Sequence, residues 1–176
     1  VIMSSGMSTL DETIKTFKTL KKKVKNISIM HCFSSYPCDL DELNLCTIKE
    51  LKKHTKVDIG YSDHSGDLNV SMAAIAYGSD LIEVHCAFSK NMFGPDSKSS
   101  LTFEEMKKLT QFRDILEMSN GNLNNVKNRD KNQKILRMKT LFGRSIALKK
   151  NFPKGYKIKR DDICMKKPYG GIPYND

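Results

Sequence analysis

Apolar and polar positions along the first two thirds of the chain repeat a strand-then-helix rhythm. Short apolar runs fall at 1–5, 27–33, 57–61 and 81–87, starting 24 to 30 residues apart, which is the size of a βα unit. Helical patterns lie between them. Thr9-x-x-Glu12 is a capping box ahead of Ile14, Phe17 and Leu20 at helical spacing. DELNLCTIKELKKH carries Leu43, Ile48 and Leu51 in the same way, and VSMAAIAYG is short and almost wholly apolar, as a helix pressed onto a sheet would be. Thr102-x-x-Glu105 caps a fourth helix with Met106, Leu109, Phe112 and Leu116 on one face, ending near Gly121.

Four consecutive βα units with no hairpin between them predict a parallel sheet with right-handed crossovers. A doubly wound sheet and part of a (β/α)8 barrel both qualify. A dinucleotide-binding sheet needs a Gly-rich turn after a strand, and none is present. Four units cannot close a barrel, so the barrel reading requires a first half outside this chain. The opening on Val1, inside a strand pattern, agrees with a piece of a longer protein.

From Asn120 the pattern changes. NGNLNNVKNRDKNQK is polar and rich in Asn and Lys, as a linker or exposed arm would be, and GRSIALKKNFPKGYKIKRDDICMKKPYGGI reads as short β segments broken by Pro153, Gly155, Gly170 and Gly171. The expected organisation is a half-barrel over 1–119, a linker over 120–140 and a small β-rich unit over 141–176. The net charge of +10 sits in the last part. Residues 1–125 hold 15 Lys+Arg against 16 Asp+Glu, and residues 126–176 hold 15 against 4. Such a segment suits a solvated surface or attraction of anionic small molecules. No aromatic–basic interleaving or reader motif points to nucleic acid. No apolar run approaches the ~20 residues of a membrane span, and VIMSSGMSTLDE has no signal-peptide pattern. The five cysteines form no C-x-x-C pair, so reduced thiols in a cytoplasmic protein are expected, with Cys32 and Cys86 buried as small hydrophobes.

In a parallel α/β sheet reactive groups gather at the carboxyl ends of the strands. His31, Ser62, Asp63, His64 and His85 fall there. His64 and His85 end successive strands, so their imidazoles would share one mouth, either as a two-histidine metal site open to water and substrate or as hydrogen-bonded interior groups. Glu83 shares the face of His85 and suits an ordering or structural carboxylate. Asp96 in the FGPDSKSS loop suits a sugar hydroxyl or a turn cap. Ser34, Ser35 and Tyr36 follow the second strand, within reach of a polyol. His54 reads as a solvated cation at a helix end.

These segments, taken in order, resemble the sialic acid synthase (N-acetylneuraminate synthase) family. MSSGMSTLDE is similar to its S-T-G-M-A-T-x-x-E segment, HCFSSYPCDLDELNL to H-C-x-x-x-Y-P, GYSDHS to G-Y-S-D-H, and IEVHCAFSKNMFGPDSKSSLTFEEM to E-x-H-x…GPD…S-L. GRSIALKKNFPKG resembles the opening of the antifreeze-like (SAF) domain that follows the barrel.

The resemblance implies the second half of a (β/α)8 TIM barrel, then a small SAF β-clip domain, working as a domain-swapped homodimer. It implies a transferase that condenses phosphoenolpyruvate with an open-chain N-acetylated hexosamine, such as N-acetylmannosamine, into a nine-carbon 2-keto sugar acid and phosphate. A divalent metal, Mn2+ first and Mg2+ or Co2+ as alternatives, would be held by His64 and His85. Ser62 and Ser34 would lie on the substrate side with Tyr36, Asp96 would bind the sugar, and Arg144 would reach the sugar N-acetyl group across the dimer. Ser97 stands where N-acetylneuraminate-making members carry His, and Ser34 and Ser35 also depart from the family pattern. Both changes lie near the expected sugar pocket, so legionaminic or pseudaminic acid synthases are the alternatives. The first-half phosphoenolpyruvate ligands would be missing, so this piece alone is expected to be inactive. A non-catalytic antifreeze-like binder would need a weakly charged face, against the charge of 126–176. A 3-deoxy-octulosonate phosphate synthase would lack the SAF-like segment.

Overall fold

The structure is a computed structural model that describes residues 1–121, 123–128, 131–167 and 170–172. The chain divides into two compact units, 1–120 and 121–176.

In the first unit, strands β1 (Ile2–Ser4), β2 (Ser28–Cys32), β3 (Ile59–Asp63), β4 (Leu81–Ala87) and β5 (Ser100–Thr102) form one sheet in the order β1-β2-β3-β4-β5, every neighbour parallel. A doubly wound sheet reverses its order partway. This sheet does not, so every crossover falls on the same side, as in an arc of a barrel wall. Helices α1 (Leu10–Lys21), α2 (Cys46–Thr55), α3 (Leu68–Ala76) and α4 (Phe103–Asn120) fill those crossovers and follow β5.

The core lies between the sheet and this helix layer. Phe17 of α1, Ile48 and Leu51 of α2, and Val70 and Ala74 of α3 pack on Ile29, Ile59 and Tyr61 of β2 and β3. Each fully buried branched aliphatic there stabilises by about 1.5–3 kcal/mol. On the opposite sheet face, Met30 and Leu81 converge on Gly60, where a Cβ would fall 2.1 Å from the Met30 Sδ. The sheet closes at that point because β3 offers no side chain.

Both expected capping boxes form. Thr9 and Glu12 exchange bonds of 2.9 and 3.3 Å at the head of α1, and Thr102 and Glu105 bonds of 2.8 and 3.3 Å at the head of α4. Of the α4 stripe, Leu109 is buried while Met106, Phe112 and Leu116 are half-buried. The second helical pattern is interrupted: a 3-10 turn at Leu40–Glu42 precedes Asn44 in the left-handed region, and α2 starts only at Cys46. The Asn44 amide donates to the Glu42 carbonyl at 2.9 Å, a local bond that lets Asn hold this conformation. β5 carries too few residues and too little apolar pattern to be anticipated. Cys86 is exposed and Cys32 half-buried, against the expectation of buried thiols. Cys86 stands near the end of β4, and Cys32 lies on the polar inner face.

The second unit begins inside the stretch expected as a linker, and that stretch carries α5 (Leu123–Lys127) and the start of α6 (Gln133–Phe142), capped by the Asn132 side chain. An antiparallel pair follows, β6 (Ser145–Leu148) with β7 (Ile163–Lys166). The Ser145 hydroxyl accepts from the Gly170 and Gly171 N–H groups at 3.1 and 3.0 Å, closing the end of the pair.

Two stability predictions follow from the first unit. Ser99 is 1% exposed and its hydroxyl has no hydrogen-bond partner among the described residues. An unmet buried hydroxyl costs about 1–3 kcal/mol, so Ser99→Ala is expected to raise the denaturation midpoint of the protein. A midpoint unchanged or lowered in urea titration would contradict this. His31 is buried on the helix side, its Nε2–H donating to the Leu43 carbonyl at 2.9 Å. Burial holds its pKa below the ordinary 6.5, partly offset by bonds to the Leu43 and Asn44 carbonyls. The unfolded chain therefore takes up this proton first. The stability tied to neutral His31 is complete above pH 6.5 and is lost as pH falls below it. His31→Gln is expected to flatten that acid-side slope, and an unaltered slope would remove His31 as its source.

Candidate active site

Strand alternation decides which groups face the inner surface. Along β3, Ile59, Tyr61 and Asp63 point to the helices and Gly60 and Ser62 point inward, with His64 next in that row. Register pairs Ser62 with Glu83, and His85 follows two residues later on the same side. Parallel strands sit about 4.8 Å apart, which brings the two histidines into contact. Their ring centroids are 5.4 Å apart at an interplanar angle of 65°.

Tyr36, beyond a cis Tyr36–Pro37 bond, stacks on His64 at 4.2 Å and meets His85 edge-on at 5.8 Å. It is half exposed, whereas His64 is 5% exposed. The Cys38 N–H donates to the His64 carbonyl at 3.1 Å, tying the two segments together.

The protonation pattern of His64 follows from its partners. Nδ1 lies 3.0 Å from the Phe33 carbonyl, which only accepts, so Nδ1 carries the hydrogen. In the neutral ring Nε2 then holds a lone pair. It lies 3.3 Å from the Ser62 hydroxyl, whose own hydrogen goes to Glu83 Oε1 at 2.9 Å. Two lone pairs thus face one another, an electron-rich notch that suits a cation or a proton donor. Across the mouth, Asp96 Oδ2 stands 3.8 Å from His85 Nδ1, and both side chains are partly exposed. Among the described residues no group of three His, Cys, Asp or Glu side chains lies within metal-binding reach. A cation held by the two imidazoles would take its other ligands from water and substrate, as an open catalytic site does.

The other expected site residues are placed as follows. Ser34 lies against Cys32, 3.8 Å from its Sγ, together with Ser4 at 3.6 Å. Gly6 leaves room for both, since a Cβ there would fall 2.6 Å from the Ser34 hydroxyl. Ser35 donates to the Pro37 carbonyl and so shapes the turn. Ser97 is buried, its hydroxyl donating to the Gly94 carbonyl at 3.1 Å. It belongs to the loop that carries Asp96. His54 is exposed in the last turn of α2, beside Glu50 at 3.1 Å. Asp63 is buried on the helix side, accepting from the Ser65 N–H and hydroxyl and from the Ser71 hydroxyl. Arg144 is exposed at the entry to β6, in the second unit.

Sequence reasoning missed Ser4, which the strand-end rule applied to β1 would have found, and the Phe33 carbonyl, for which no side-chain signal exists. A separate cavity of about 360 Å3 opens behind β1 and β2, lined among others by Thr13, His31, Glu42 and Asn44. The imidazole pair is not part of it. The Cys38 thiol is pushed up to about 11, by burial first and then by Glu42, Asp39, Asp63 and Asp41, so it is protonated near neutrality and offers no nucleophile.

The model of the NeuB family matches residues 1–125. The chain is 38% identical over 177 residues to N,N'-diacetyllegionaminic acid synthase of Campylobacter jejuni, covering 98% of this chain and 51% of that protein. It is 30% identical over 172 residues to pseudaminic acid synthase of the same species, covering 97% and 49%. Among solved structures, N-acetylneuraminic acid synthetase of Leptospira borgpetersenii, crystallised with citrate, superposes with a TM-score of 0.65 at 32% identity, covering 69% of this chain and 43% of that one. The chain spans about half the length of the curated relatives it matches. With the family model over more than half of its residues, the chain belongs to the NeuB family, alongside sialic, legionaminic and pseudaminic acid synthases.

Proposed function

We propose that the protein carrying this chain condenses phosphoenolpyruvate with the open-chain form of an N-acetylated hexosamine. The enol carbon forms the new C–C bond to the sugar aldehyde, whose oxygen takes a proton. Water adds to the resulting cation at C2, and C–O cleavage expels phosphate, leaving a nine-carbon 2-keto sugar acid. The observation that carries this reading is the imidazole pair at 5.4 Å with the His64 Nε2 lone pair left free by the Phe33 carbonyl.

His64 and His85 would hold a divalent cation, Mn2+ in preference to Mg2+ or Co2+, which when bound supplies Lewis acidity at the aldehyde. Ser62 serves the phosphoenolpyruvate side, turning its hydroxyl from Glu83 to the anion, and Ser34 lies on the sugar side. Asp96 accepts a sugar hydroxyl and Tyr36 walls the mouth. Arg144 serves the N-acetyl group across a domain-swapped homodimer whose complete subunit is a (β/α)8 barrel followed by a SAF domain. The names of the 38%- and 30%-identical relatives favour a diacetamido hexose as acceptor over N-acetylmannosamine.

Phosphate release by the full-length protein tests the proposal, using N-acetylmannosamine, 6-deoxy and diacetamido analogues with and without Mn2+. Metal-dependent release with one of these sugars, reduced to background in His64→Ala and His85→Ala, is the expected result. Release that persists in both variants, or no release with any sugar from folded protein, would overturn it.

A further inference from the structure

We propose that Lys90 is a positioning residue that pins the Asp96 loop to the turn following His64. The proposal rests on the functional reading above for its consequence, though its structural content is independent of that reading.

The connection from β4 to β5, residues 88–99, has no helix or strand of its own and carries Asp96 at its far end. Its internal bonds are local. Met92 N–H donates to the Ser89 carbonyl, Ser97 N–H and hydroxyl to the Gly94 carbonyl, and Ser99 N–H to the Asp96 carbonyl. Such bonds shape a loop without fixing where it sits.

Lys90 supplies what they do not. Its Nζ donates to the Gly66 carbonyl at 2.7 Å and to Glu105 Oε1 at 2.8 Å, spanning 24 and 15 residues of sequence. Gly66 closes the turn that leaves β3 two residues after His64. Glu105 is itself held by the N–H and hydroxyl of Thr102 at 2.8 and 3.1 Å, in the capping box of α4. Burial pushes the Glu105 carboxyl up, but the Lys90 and Thr102 bonds outweigh it and keep the group below its ordinary range. One ammonium therefore joins three segments: the His64 turn, the Asp96 loop and the head of α4.

A second contact interlocks the same segments. Gly66 has φ +68°, and a Cβ on it would stand 2.1 Å from the Lys98 carbonyl oxygen. The turn and the loop meet backbone on backbone, a fit that holds only while the loop is kept in place. The Lys90 and Glu105 side chains are 35% and 25% exposed, so the ion pair is sheltered enough to act as a fixed pin. Asp96 then reaches its place 3.8 Å from His85 with the loop already fixed.

The test compares Lys90→Met, which keeps most of the stem and removes the donors, with Lys90→Arg, which keeps a cation, in the full-length protein. Amide hydrogen exchange without ligand is the first readout. The Met variant is expected to exchange faster across 91–99 while β2 and β3 keep their protection, and Arg is expected to restore part of the difference. The second readout is kinetic. The sugar KM of the Met variant should rise roughly tenfold or more, since a misplacement of about 1 Å is costly at a reacting site, with the phosphoenolpyruvate KM and the Mn2+ affinity unchanged. Unaltered exchange in 91–99 overturns the proposal whatever the activity. So does faster exchange with an unchanged sugar KM, and so does loss of protection throughout β2 and β3. If wild-type protein releases no phosphate, the functional reading fails, and the exchange result still decides whether Lys90 is the pin.

Discussion

Everything in the first unit depends on one constraint. A parallel sheet whose strands are ordered as they occur in the chain can be covered by its own crossovers on one face only. The helices take that face, so Ile29, Ile59 and Tyr61 are spent on the core. The other face is left to a different set of residues, and it changes character along the strands. Near the amino ends it is filled by Met30 and Leu81 around Gly60. Near the carboxyl ends it carries Ser62, His64, Glu83 and His85. Packing and chemistry are thereby separated along one surface, which is the division that βα barrels use generally. A one-residue slip of β3 would exchange Tyr61 for Ser62 and destroy both at once.

The polar end works through backbone as much as through side chains. The Phe33 carbonyl sets which nitrogen of His64 is protonated, and the Cys38 N–H holds the His64 carbonyl. Glu83 takes the Ser62 hydroxyl hydrogen, which turns the serine oxygen toward Nε2 as an acceptor. Together they hold the Nδ1 hydrogen on the Phe33 carbonyl and set Nε2 3.3 Å from the Ser62 oxygen. The small apolar turn at Tyr36–Pro37 adds a ring against the imidazole, shielding one side of the pair while leaving the mouth open.

How much of this was readable in advance depends on the range of the interaction involved. The strands and both capping boxes were legible, because Thr9 with Glu12 and Thr102 with Glu105 are local patterns with a physical cause. The His64–His85 approach was legible too, since two strand ends in a parallel sheet have few places to go. The break in the second helix was not. Asn44 departs from the helical region through a bond to Glu42 that the apolar stripe of Leu43 and Ile48 conceals. β5 was missed because Ser100, Leu101 and Thr102 become a strand only by pairing with His85, Cys86 and Ala87. Cys86, exposed within an apolar strand pattern, shows that such a pattern says which face a residue takes and not how deeply it is covered.

Ser97 shows how a change next to a site can act without touching it. Its hydroxyl is turned back to the Gly94 carbonyl, and Gly94 has φ +153°, with the hydroxyl only 2.9 Å from where a Cβ would be. The serine therefore contributes to the path of the loop rather than to the surface of the mouth. A larger or ring-bearing residue at position 97 has no room in that inward orientation unless the loop between Gly94 and Asp96 moves. The side chain would otherwise have to turn outward. Either response alters the groups around Asp96, since Asp96 is the adjacent residue and its carbonyl already accepts from Ser99 and Ser100. The sheet thus holds the imidazole pair, and the β4–β5 loop sets where Asp96 stands beside it, a loop group on a rigid scaffold.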